Sequence, residues 1–413
     1  MNTTRAAEDI LKTLVAFDTT SSDSNVALIA WVEQYLDRYG VWHERVQEHD
    51  EDGVQKTSLL ARIGPEVEGG IVLSGHTDVV PVTDQQWTGG KGAQTAFTLT
   101  ERDGKLYGRG ASDMKGFLAL ALAQVPVFVE QQTRGELKRP VWLAFSHDEE
   151  IGCKCAEPMA KEFLARNVKP ALILVGEPTM MRVTDEHKGI DSFETTITGK
   201  AGHSSAPELG VNAGYIMAEL ALTLRNINDA EYAKAKQQPV DSRFPTPHST
   251  VHVGVFHAGT ARNIIPDHAS LKWEIRPMPG RDSAEVLAPF HAKIAELEKR
   301  YPECRITTHQ LTHVHGLKRQ SEETLQLATF LAGSNEPAAA VNYGTEGGAM
   351  GEYGFPTVIC GPGSIDQAHQ PDEFISREQL EKGAAMMARV GEVLSRPYRV
   401  GRTGDVDDAQ GAC

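Results

Sequence analysis

The fold is decided by a short apolar run that ends abruptly in polar residues, IVLSGHTDVVP at residues 71–81. Three further runs have the same form and lie at 141–145, 172–175 and 358–360. Short, continuous apolar runs are typical of strands that are buried on both faces of a parallel sheet. The apolar segment 114–132 lies between the first two runs and is long enough for a helix packed on that sheet. Together these segments predict an α/β layer architecture.

The sequence changes character around residues 185–189, where longer segments of alternating polarity replace the short apolar runs. Alternation at period two predicts half-buried strands, and helical patterns lie among them. The predicted strands are 193–198, 250–256 and 270–276, the helices are 211–227 and 283–301 with Asp282 as N-cap, and a long loop is predicted at 233–249. The predicted organisation is therefore an α/β domain in two segments, 1–186 and 313–396, an α+β insert at 187–312, and a flexible tail at 397–413.

Charge and hydropathy argue against a nucleic-acid-binding protein and against a membrane protein. The chain of 413 residues carries 41 lysine and arginine residues against 56 aspartate and glutamate residues, a net charge of −15 that repels nucleic-acid phosphates and anionic lipid surfaces. The longest near-apolar stretch, 117–129, is interrupted by Gln124 and Pro126 and is shorter than the roughly 20 residues that a membrane span needs. The polar N-terminal segment and five sparse cysteines favour a cytoplasmic protein.

Polar side chains follow each apolar run, at the sheet edge where α/β proteins bind their ligands. They are His76 and Asp78 after the first run, Glu149 and Glu150 after the second, Glu177 after the third and His369 beyond the fourth, while Asp113 lies in LYGRGASDMKG. Two imidazoles and three carboxylates match the mixed ligands of two divalent metal ions that share one carboxylate. Adjacent Glu149 and Glu150 point in different directions, so that one binds metal and the other contacts water. Asp78 is placed to accept the free ring N–H of His76.

Each of these residues also has an ordinary structural explanation. Asp113 is a candidate N-cap of the following helix, and Glu149 with Glu150 is a candidate solvated turn. The glycine-rich GRGASD resembles a dinucleotide-binding loop, but its sixth position is Asp113 instead of glycine and no clear strand of sufficient length precedes it. Neither GxxxxGK[ST] nor GxSxG occurs in the sequence. Metal-assisted hydrolysis is the interpretation that uses all of the strand-end residues together.

The chain resembles the two-zinc amidohydrolases and peptidases, a family that includes aminoacylases, carboxypeptidase G, succinyl-diaminopimelate desuccinylase and acetylornithine deacetylase. The resemblance runs to about Leu394 and rests on SGHTDVVP, GRGASDMKG, SHDEEIG, GEPT, GKAGHSSAPELGVNA, RNIIPD and HQPDE, in that order. Within the family, HKGID, GHSSAPELGVNA and YGTEGGAM resemble the acetylornithine deacetylase branch. The resemblance implies a zinc-exopeptidase-like catalytic domain, with a mixed, largely parallel sheet between helices, and a ferredoxin-like insert that serves as lid and dimerisation domain.

The same resemblance assigns roles to the strand-end residues. It implies that one metal ion is held by His76, Asp113 and Glu177, and that Asp113 bridges to a second ion completed by Glu150 and His369. Glu149 is then the general base that deprotonates the attacking water and later protonates the leaving amine, and the Asp113–Met114 peptide bond is expected to be cis. Zinc is the expected metal, with cobalt and manganese as alternatives, because such ligand sets also select by metal availability.

Three residues of the insert resemble substrate-contacting residues of the family. His203 resembles a residue that reaches the active site of the neighbouring subunit and stabilises the oxyanion, with Asn263 nearby, and Arg276 resembles the residue that binds the substrate α-carboxylate. Each has a structural alternative, as a turn cap, an Asx-turn and a surface strand residue respectively. Glu346, in YGTEGG, either pairs with the δ-ammonium of ornithine or holds its own loop, and the sequence does not separate these roles.

The resemblance therefore implies a cytoplasmic, homodimeric amidase that releases acetate from N2-acetyl-L-ornithine in arginine biosynthesis. One alternative stays within the family, as a succinyl-diaminopimelate desuccinylase, an aminoacylase or a dipeptidase with the same metal centre. Another is a non-catalytic homologue that acts in binding or assembly. A non-catalytic homologue would be expected to lack one of the metal ligands or the general base. In this sequence the five ligand positions and the base position all carry a residue of the required type.

Overall fold

A computed structural model describes residues 3–49, 53–237 and 243–397. The predicted tail, 397–413, lies outside these residues except for its first position. By their internal contacts the described residues form two units, which are described separately: those within 1–185, 319–339 and 345–397 form the first, and those within 186–318 and 340–344 form the second. No described helix is both long and apolar enough to cross a membrane.

The described residues form ten α-helices and nineteen strands. The helices are α1 (Thr3–Val15), α2 (Val26–Asp37), α3 (Ala93–Ala96), α4 (Lys115–Thr133), α5 (Ala156–Ala165), α6 (Ala213–Gln237), α7 (Ser283–Arg300), α8 (Glu322–Ala332), α9 (Gly347–Glu352) and α10 (Arg377–Leu394). The strands are β1 (Trp42–His49), β2 (Gln55–Ile63), β3 (Ile71–His76), β4 (Gln86–Trp87), β5 (Gly90–Lys91), β6 (Thr100–Arg102), β7 (Lys105–Tyr107), β8 (Val141–Ser146), β9 (Leu172–Pro178), β10 (Thr184–His187), β11 (Ile190–Thr198), β12 (Gly202–His203), β13 (Thr250–Ala258), β14 (Ile264–Ile265), β15 (His268–Arg276), β16 (Arg305–Val314), β17 (Ala339–Val341), β18 (Thr357–Gly361) and β19 (Phe374–Ser376).

The centre of the first unit is a sheet in which six strands of that unit follow the order β1-β2-β8-β3-β9-β18. Its middle strands, β8, β3, β9 and β18, are parallel to one another and are the four apolar runs of the sequence. Helix α4 is buried along most of its length, and Phe117, Leu120 and Phe128 pack in one core with residues of α1, α10 and the sheet. The predicted α/β layer architecture is confirmed, and the parallel order brings the carboxyl ends of the four runs to one edge.

The second unit is an antiparallel sheet of four strands, in the order β13-β15-β11-β16, with the long helices α6 and α7. Apolar side chains of both helices, such as Leu220 and Phe290, share a core with Leu271 and Trp273 of β15. The predicted α+β insert is therefore confirmed. The second unit continues past the predicted end at 312, because β16 pairs with β11 as far as Val314.

Helix boundaries agree with the capping signals where side chains supply the cap. The Asp282 carboxylate accepts from the backbone N of Ala284 at the start of α7, and the Ser376 hydroxyl accepts from the backbone N of Gln379 at the start of α10. Helix α6 is longer than predicted and ends at Gln237 instead of 227. Its last turns are rich in alanine, lysine and glutamine, which are strong helix formers, so the chain continues as helix into part of the predicted loop.

Candidate metal centre

Five predicted ligands come from five different places in the first unit. His76 is the last residue of β3, Glu177 lies near the end of β9, and Glu150 follows the end of β8. Asp113 precedes α4, in a loop whose Asp113–Met114 peptide bond is cis, as predicted. His369 follows β18 and has a φ angle of +62°. The parallel sheet thus gathers side chains that are up to about three hundred positions apart in sequence.

The first candidate group consists of His76, Asp113 and Glu177, all buried. The His76 Nε2 atom lies 3.1 Å from Asp113 Oδ1 and 3.8 Å from Glu177 Oε1. Glu177 Oε1 is buried and has no hydrogen-bond partner among the described residues. A buried carboxylate oxygen without a donor is costly, and a bound cation at this position removes that cost.

The second candidate group consists of Asp113, Glu150 and His369. The His369 Nε2 atom lies 2.9 Å from Glu150 Oε2 and 3.7 Å from Asp113 Oδ2. In each group the ligand atoms lie within 4.8 Å of one another. Asp113 belongs to both groups and directs Oδ1 to His76 and Oδ2 to His369, which is the arrangement of a carboxylate shared by two cations.

The electrostatics of the two groups favour divalent cations. Burial raises the pKa of Glu177 well above its usual value, with the charge of Asp113 as a further cause. Burial and Asp113 likewise raise the pKa of Glu150. Several carboxylates are therefore held together in a buried region at a cost that bound cations would offset. The ligand types and their burial fit a pair of N/O-ligated divalent metal ions.

Glu149 directly precedes Glu150 in the chain and belongs to neither group. Burial raises its pKa to about 8, and the neighbouring Glu150 and Asp113 charges contribute, against the opposing effect of His76. The Cys153 thiol donates to Glu149 Oε1 at 3.3 Å. A carboxylate next to the ligands, not itself among them, is positioned to exchange a proton with a water molecule there.

Asp78 does not orient His76 in the way that the sequence predicted. The His76 Nδ1 atom lies 2.9 Å from the backbone carbonyl oxygen of Asp78 and 3.6 Å from its carboxylate. The carboxylate instead accepts from the Ser21 hydroxyl at 2.7 Å and from the backbone N–H groups of Glu149 and Glu150 at 3.2 and 3.3 Å. The His76 ring N–H therefore donates to the backbone carbonyl of Asp78. The Asp78 carboxylate is left to bind the backbone N–H groups of Glu149 and Glu150, and it holds the turn that carries these two residues.

The contacts of Glu346 do not support pairing with a substrate ammonium. Its side chain is 1% exposed, and its two oxygens accept from the hydroxyls of Ser74 and Ser146, each at 2.7 Å. Ser74 lies on β3 and Ser146 ends the neighbouring parallel strand β8. Glu346 therefore connects the two strands that lead into His76 and Glu149, a role that sequence reasoning did not propose.

Sequence reasoning also missed Glu373, although it lies in the quoted motif HQPDE. Its buried carboxylate accepts from the backbone N–H groups of Ser112 and Asp113 through Oε1, at 2.8 and 3.0 Å. Its Oε2 atom accepts from the backbone N of Gly110 and forms a buried ion pair with Arg109 at 2.7 Å. The only local signal was an acidic residue four positions after a predicted ligand, which does not identify its partners.

Glu373→Gln is expected to weaken divalent metal binding by about 10–100-fold. The Glu373 carboxylate accepts from backbone N–H groups that fix the Asp113 loop, and a glutamine places an NH₂ group, which cannot accept, against some of these donors. Isothermal titration of metal-free protein with Zn²⁺ measures the change. Glu381→Gln, an exposed position on α10, is the matched control and should leave the metal Kd unchanged. An unaltered Kd in folded Glu373→Gln protein would contradict the positioning role.

The three predicted insert residues lie in the second unit. His203 and Asn263 are both exposed, and the short β12–β14 pairing brings them together, with the Asn263 carbonyl accepting from the backbone N of Ser204 at 3.1 Å. The His203 Nδ1 atom accepts from the Ser205 hydroxyl, 2.7 Å away, and from the Ser205 backbone N–H at 3.2 Å. Arg276 ends β15 and donates to Glu274 at 2.9 Å.

Comparison with known proteins gives one family. Residues 72–392 match the model of peptidase family M20/M25/M40. The chain is 34% identical over 378 residues to an acetylornithine deacetylase of Proteus mirabilis, covering 91% of this chain and 92% of that protein. It is 33% identical over 391 residues to an acetylornithine deacetylase of Myxococcus xanthus, covering 94% of this chain and 97% of that protein.

Solved structures agree with the fold. A tripeptidase from Staphylococcus aureus superposes with a TM-score of 0.70 at 18% identity, over 95% of this chain and 99% of that one. The YxeP protein of Bacillus subtilis, a dinuclear metal-binding peptidase from family M20, superposes with a TM-score of 0.62 at 17% identity, over 95% and 98% of the two chains. At these identities the likeness concerns the architecture alone.

Proposed function

The chain belongs to peptidase family M20/M25/M40 and is a metal-dependent amidohydrolase, and from this premise we propose that it hydrolyses N2-acetyl-L-ornithine to L-ornithine and acetate. The observation that carries the proposal is the pair of ligand groups that share Asp113, with Glu149 beside them. The acetyl-ornithine assignment is supported by relatives that are 33–34% identical over nearly their whole length.

The proposed cofactor is a pair of zinc ions, with His76, Asp113 and Glu177 holding one and Asp113, Glu150 and His369 holding the other. Cobalt is the alternative, because imidazole and carboxylate ligands accept several first-row metals. Bound metal supplies Lewis acidity, which lowers the pKa of water and polarises the amide carbonyl.

Glu149 performs the proton transfers of the proposed reaction. Its carboxylate accepts a proton from the attacking water, and the resulting carboxylic acid donates that proton to the nitrogen of the leaving amine when the C–N bond breaks. The overall reaction consumes one water and leaves Glu149 as it began. His203, with Asn263 nearby, is proposed to stabilise the developing oxyanion from the neighbouring subunit, since an imidazole N–H is a suitable donor.

Arg276 is proposed to bind the α-carboxylate of the substrate. Burial, with the charge of Arg276 as a further cause, lowers the pKa of Lys188 to about 8, so Arg276 is not the only positive side chain that a substrate carboxylate would meet here. The ion-pair partner that the described residues give Arg276 is Glu274 on the same strand, and the planar guanidinium has further N–H donors for a substrate carboxylate.

Arg276→Ala is expected to raise KM by about 10–100-fold with a smaller effect on kcat, because a lost charge-assisted hydrogen bond costs about 1.5–3 kcal/mol and acts on substrate and transition state alike. Steady-state kinetics on N2-acetyl-L-ornithine measures both constants. Arg225→Ala, an exposed position on α6, is the control. If KM stays unchanged in the Arg276 variant, the carboxylate is bound elsewhere.

The experiment that tests the proposed substrate is a comparison of kcat/KM on a panel of N-acyl amino acids with metal-depleted and metal-restored protein. N2-acetyl-L-ornithine should give the highest value, and activity should return with metal. A higher value for succinyl-diaminopimelate, an acyl-neutral amino acid or a dipeptide would assign another member of the family. Metal content well below one ion per chain after loading would favour a non-catalytic role.

We also propose a pathway, a cellular compartment and an oligomeric state for the enzyme. We place it in arginine biosynthesis, in the cytoplasm, as a homodimer formed by the insert. The dimer is supported by apolar residues exposed on the second unit, among them Tyr215 and Leu222 on α6 and Phe256 on β13. Light scattering on the purified chain tests it, and a monomer mass would remove the proposed route for His203 to a neighbouring active site.

A further inference from the structure

The turn that carries Glu149 contains a non-glycine residue, Asp148, in the left-handed backbone conformation. Strand β8 ends at Ser146, and the next residues turn sharply, with Asp148 in the left-handed region at a φ angle of +56°. Non-glycine residues adopt this conformation at a cost unless their surroundings hold them there. The conformation of Asp148 sets the direction in which the backbone delivers Glu149.

Lys56 holds the Asp148 side chain. Its Nζ atom lies 2.6 Å from Asp148 Oδ1, and the two side chains are 1% and 2% exposed. Lys56 lies near the start of β2, a strand that pairs antiparallel with β8, so the ammonium reaches the turn from the neighbouring strand. A buried ion pair of this kind adds little net stability over an apolar pair, but it specifies one geometry.

The Lys56 ammonium is also connected to the turn by a chain of hydrogen bonds through Ser21 and Asp78. Lys56 Nζ donates to the backbone carbonyl of Ser21 at 2.5 Å, and the Ser21 hydroxyl donates to Asp78 Oδ2 at 2.7 Å. The Asp78 carboxylate then accepts from the backbone N–H groups of Glu149 and Glu150. Lys56 is therefore connected to the turn through Asp148 directly and through Ser21 and Asp78 indirectly.

We propose that Lys56 is a positioning residue for the hydrolysis, which acts by holding the turn at Asp148 so that Glu149 points at the attacking water. Lys56 is a member of neither candidate ligand group. The inference rests on the proposed function in one respect, the role of Glu149 as general base. Because small misplacements of a catalytic group are costly, loss of this support should lower the turnover rate more than substrate binding.

The main variant is the double substitution Lys56→Met and Asp148→Asn, which removes both charges together and keeps a residue that tolerates the left-handed conformation. We expect kcat to fall by about 10–100-fold, with KM within about twofold of wild type and the metal content unchanged by mass spectrometry. Ile63→Val is the control, since it is a buried substitution at the other end of β2. It should leave kcat unchanged even where it lowers Tm.

A double-mutant cycle with Glu149→Gln separates positioning from a general structural effect. If Lys56 acts through Glu149, the Lys56→Met and Asp148→Asn pair should have no further effect on kcat in the Glu149→Gln background. The same fold-loss in both backgrounds, or a loss of bound metal, would overturn the inference. If Glu149→Gln itself left kcat unchanged, the proposed base would be wrong, which is a distinguishable result.

Asp148→Asn alone is the second variant, in case the double substitution does not fold. It keeps the bond from Lys56 to the Ser21 carbonyl and weakens only the direct path to the turn. We expect a smaller fall in kcat, about threefold to tenfold, at unchanged KM and metal content. Folded Asp148→Asn protein with wild-type kcat would overturn the inference.

Discussion

Glu149→Gln is expected to lower kcat by about 10²–10⁴-fold, the range that positioned general bases contribute. Glutamine has nearly the same size and keeps an oxygen that accepts from the Cys153 thiol, but its amide does not accept a proton from water. Glu149 belongs to neither candidate ligand group, so the variant should bind as much metal as wild type. Loss of turnover with retained metal would distinguish a base from a ligand.

Kinetics on N2-acetyl-L-ornithine and elemental analysis of the same preparation provide the two readings. Glu162→Gln, a substitution on α5 outside the candidate groups, is the matched control and should keep wild-type turnover. Near-wild-type kcat in the Glu149 variant would contradict the proton-transfer role. A proportional loss of metal would instead make Glu149 part of the metal site.

Asp113→Ala is expected to have the other large effect, because it removes the one side chain that both ligand groups share. Both metal ions should be lost, and kcat/KM should fall by at least about 10³-fold, since the Lewis acidity of bound metal is worth several kcal/mol and each 1.36 kcal/mol changes a rate tenfold. Metal content and kcat/KM are measured on protein dialysed against equal free Zn²⁺.

Glu177→Ala and His369→Ala are the informative comparisons, because each belongs to only one of the groups. Each should retain about half of the wild-type metal, while Asp113→Ala retains little. If all three variants kept the same amount of metal, Asp113 would not be a bridging ligand and the two groups would not form one centre.

Much of the architecture and the grouping of the strand-end residues followed from local patterns. The four short apolar runs identified the four central strands, and the rule that parallel sheets bind ligands beyond their carboxyl ends predicted that His76, Glu177 and the pair Glu149 and Glu150 are neighbours. Both steps need only residues that are adjacent in sequence. They succeed here because the central strands all run in the same direction.

The supporting contacts of the site did not follow from the sequence. Glu346 meets Ser74 across 272 sequence positions, and Lys56 meets Asp148 across 92. Both depend on which strands are neighbours, and no local pattern encodes that order. For Asp78 the short spacing from His76 was misleading, because the backbone carbonyl took the place that the carboxylate was predicted to fill.

Anomalous diffraction from crystals of the Zn²⁺-loaded protein, recorded on both sides of the zinc absorption edge, tests the metal centre most directly. We expect two peaks that both contact Asp113, one of them also contacted by His76 and Glu177 and the other by Glu150 and His369. A single peak, or peaks that do not contact Asp113, would contradict this expectation.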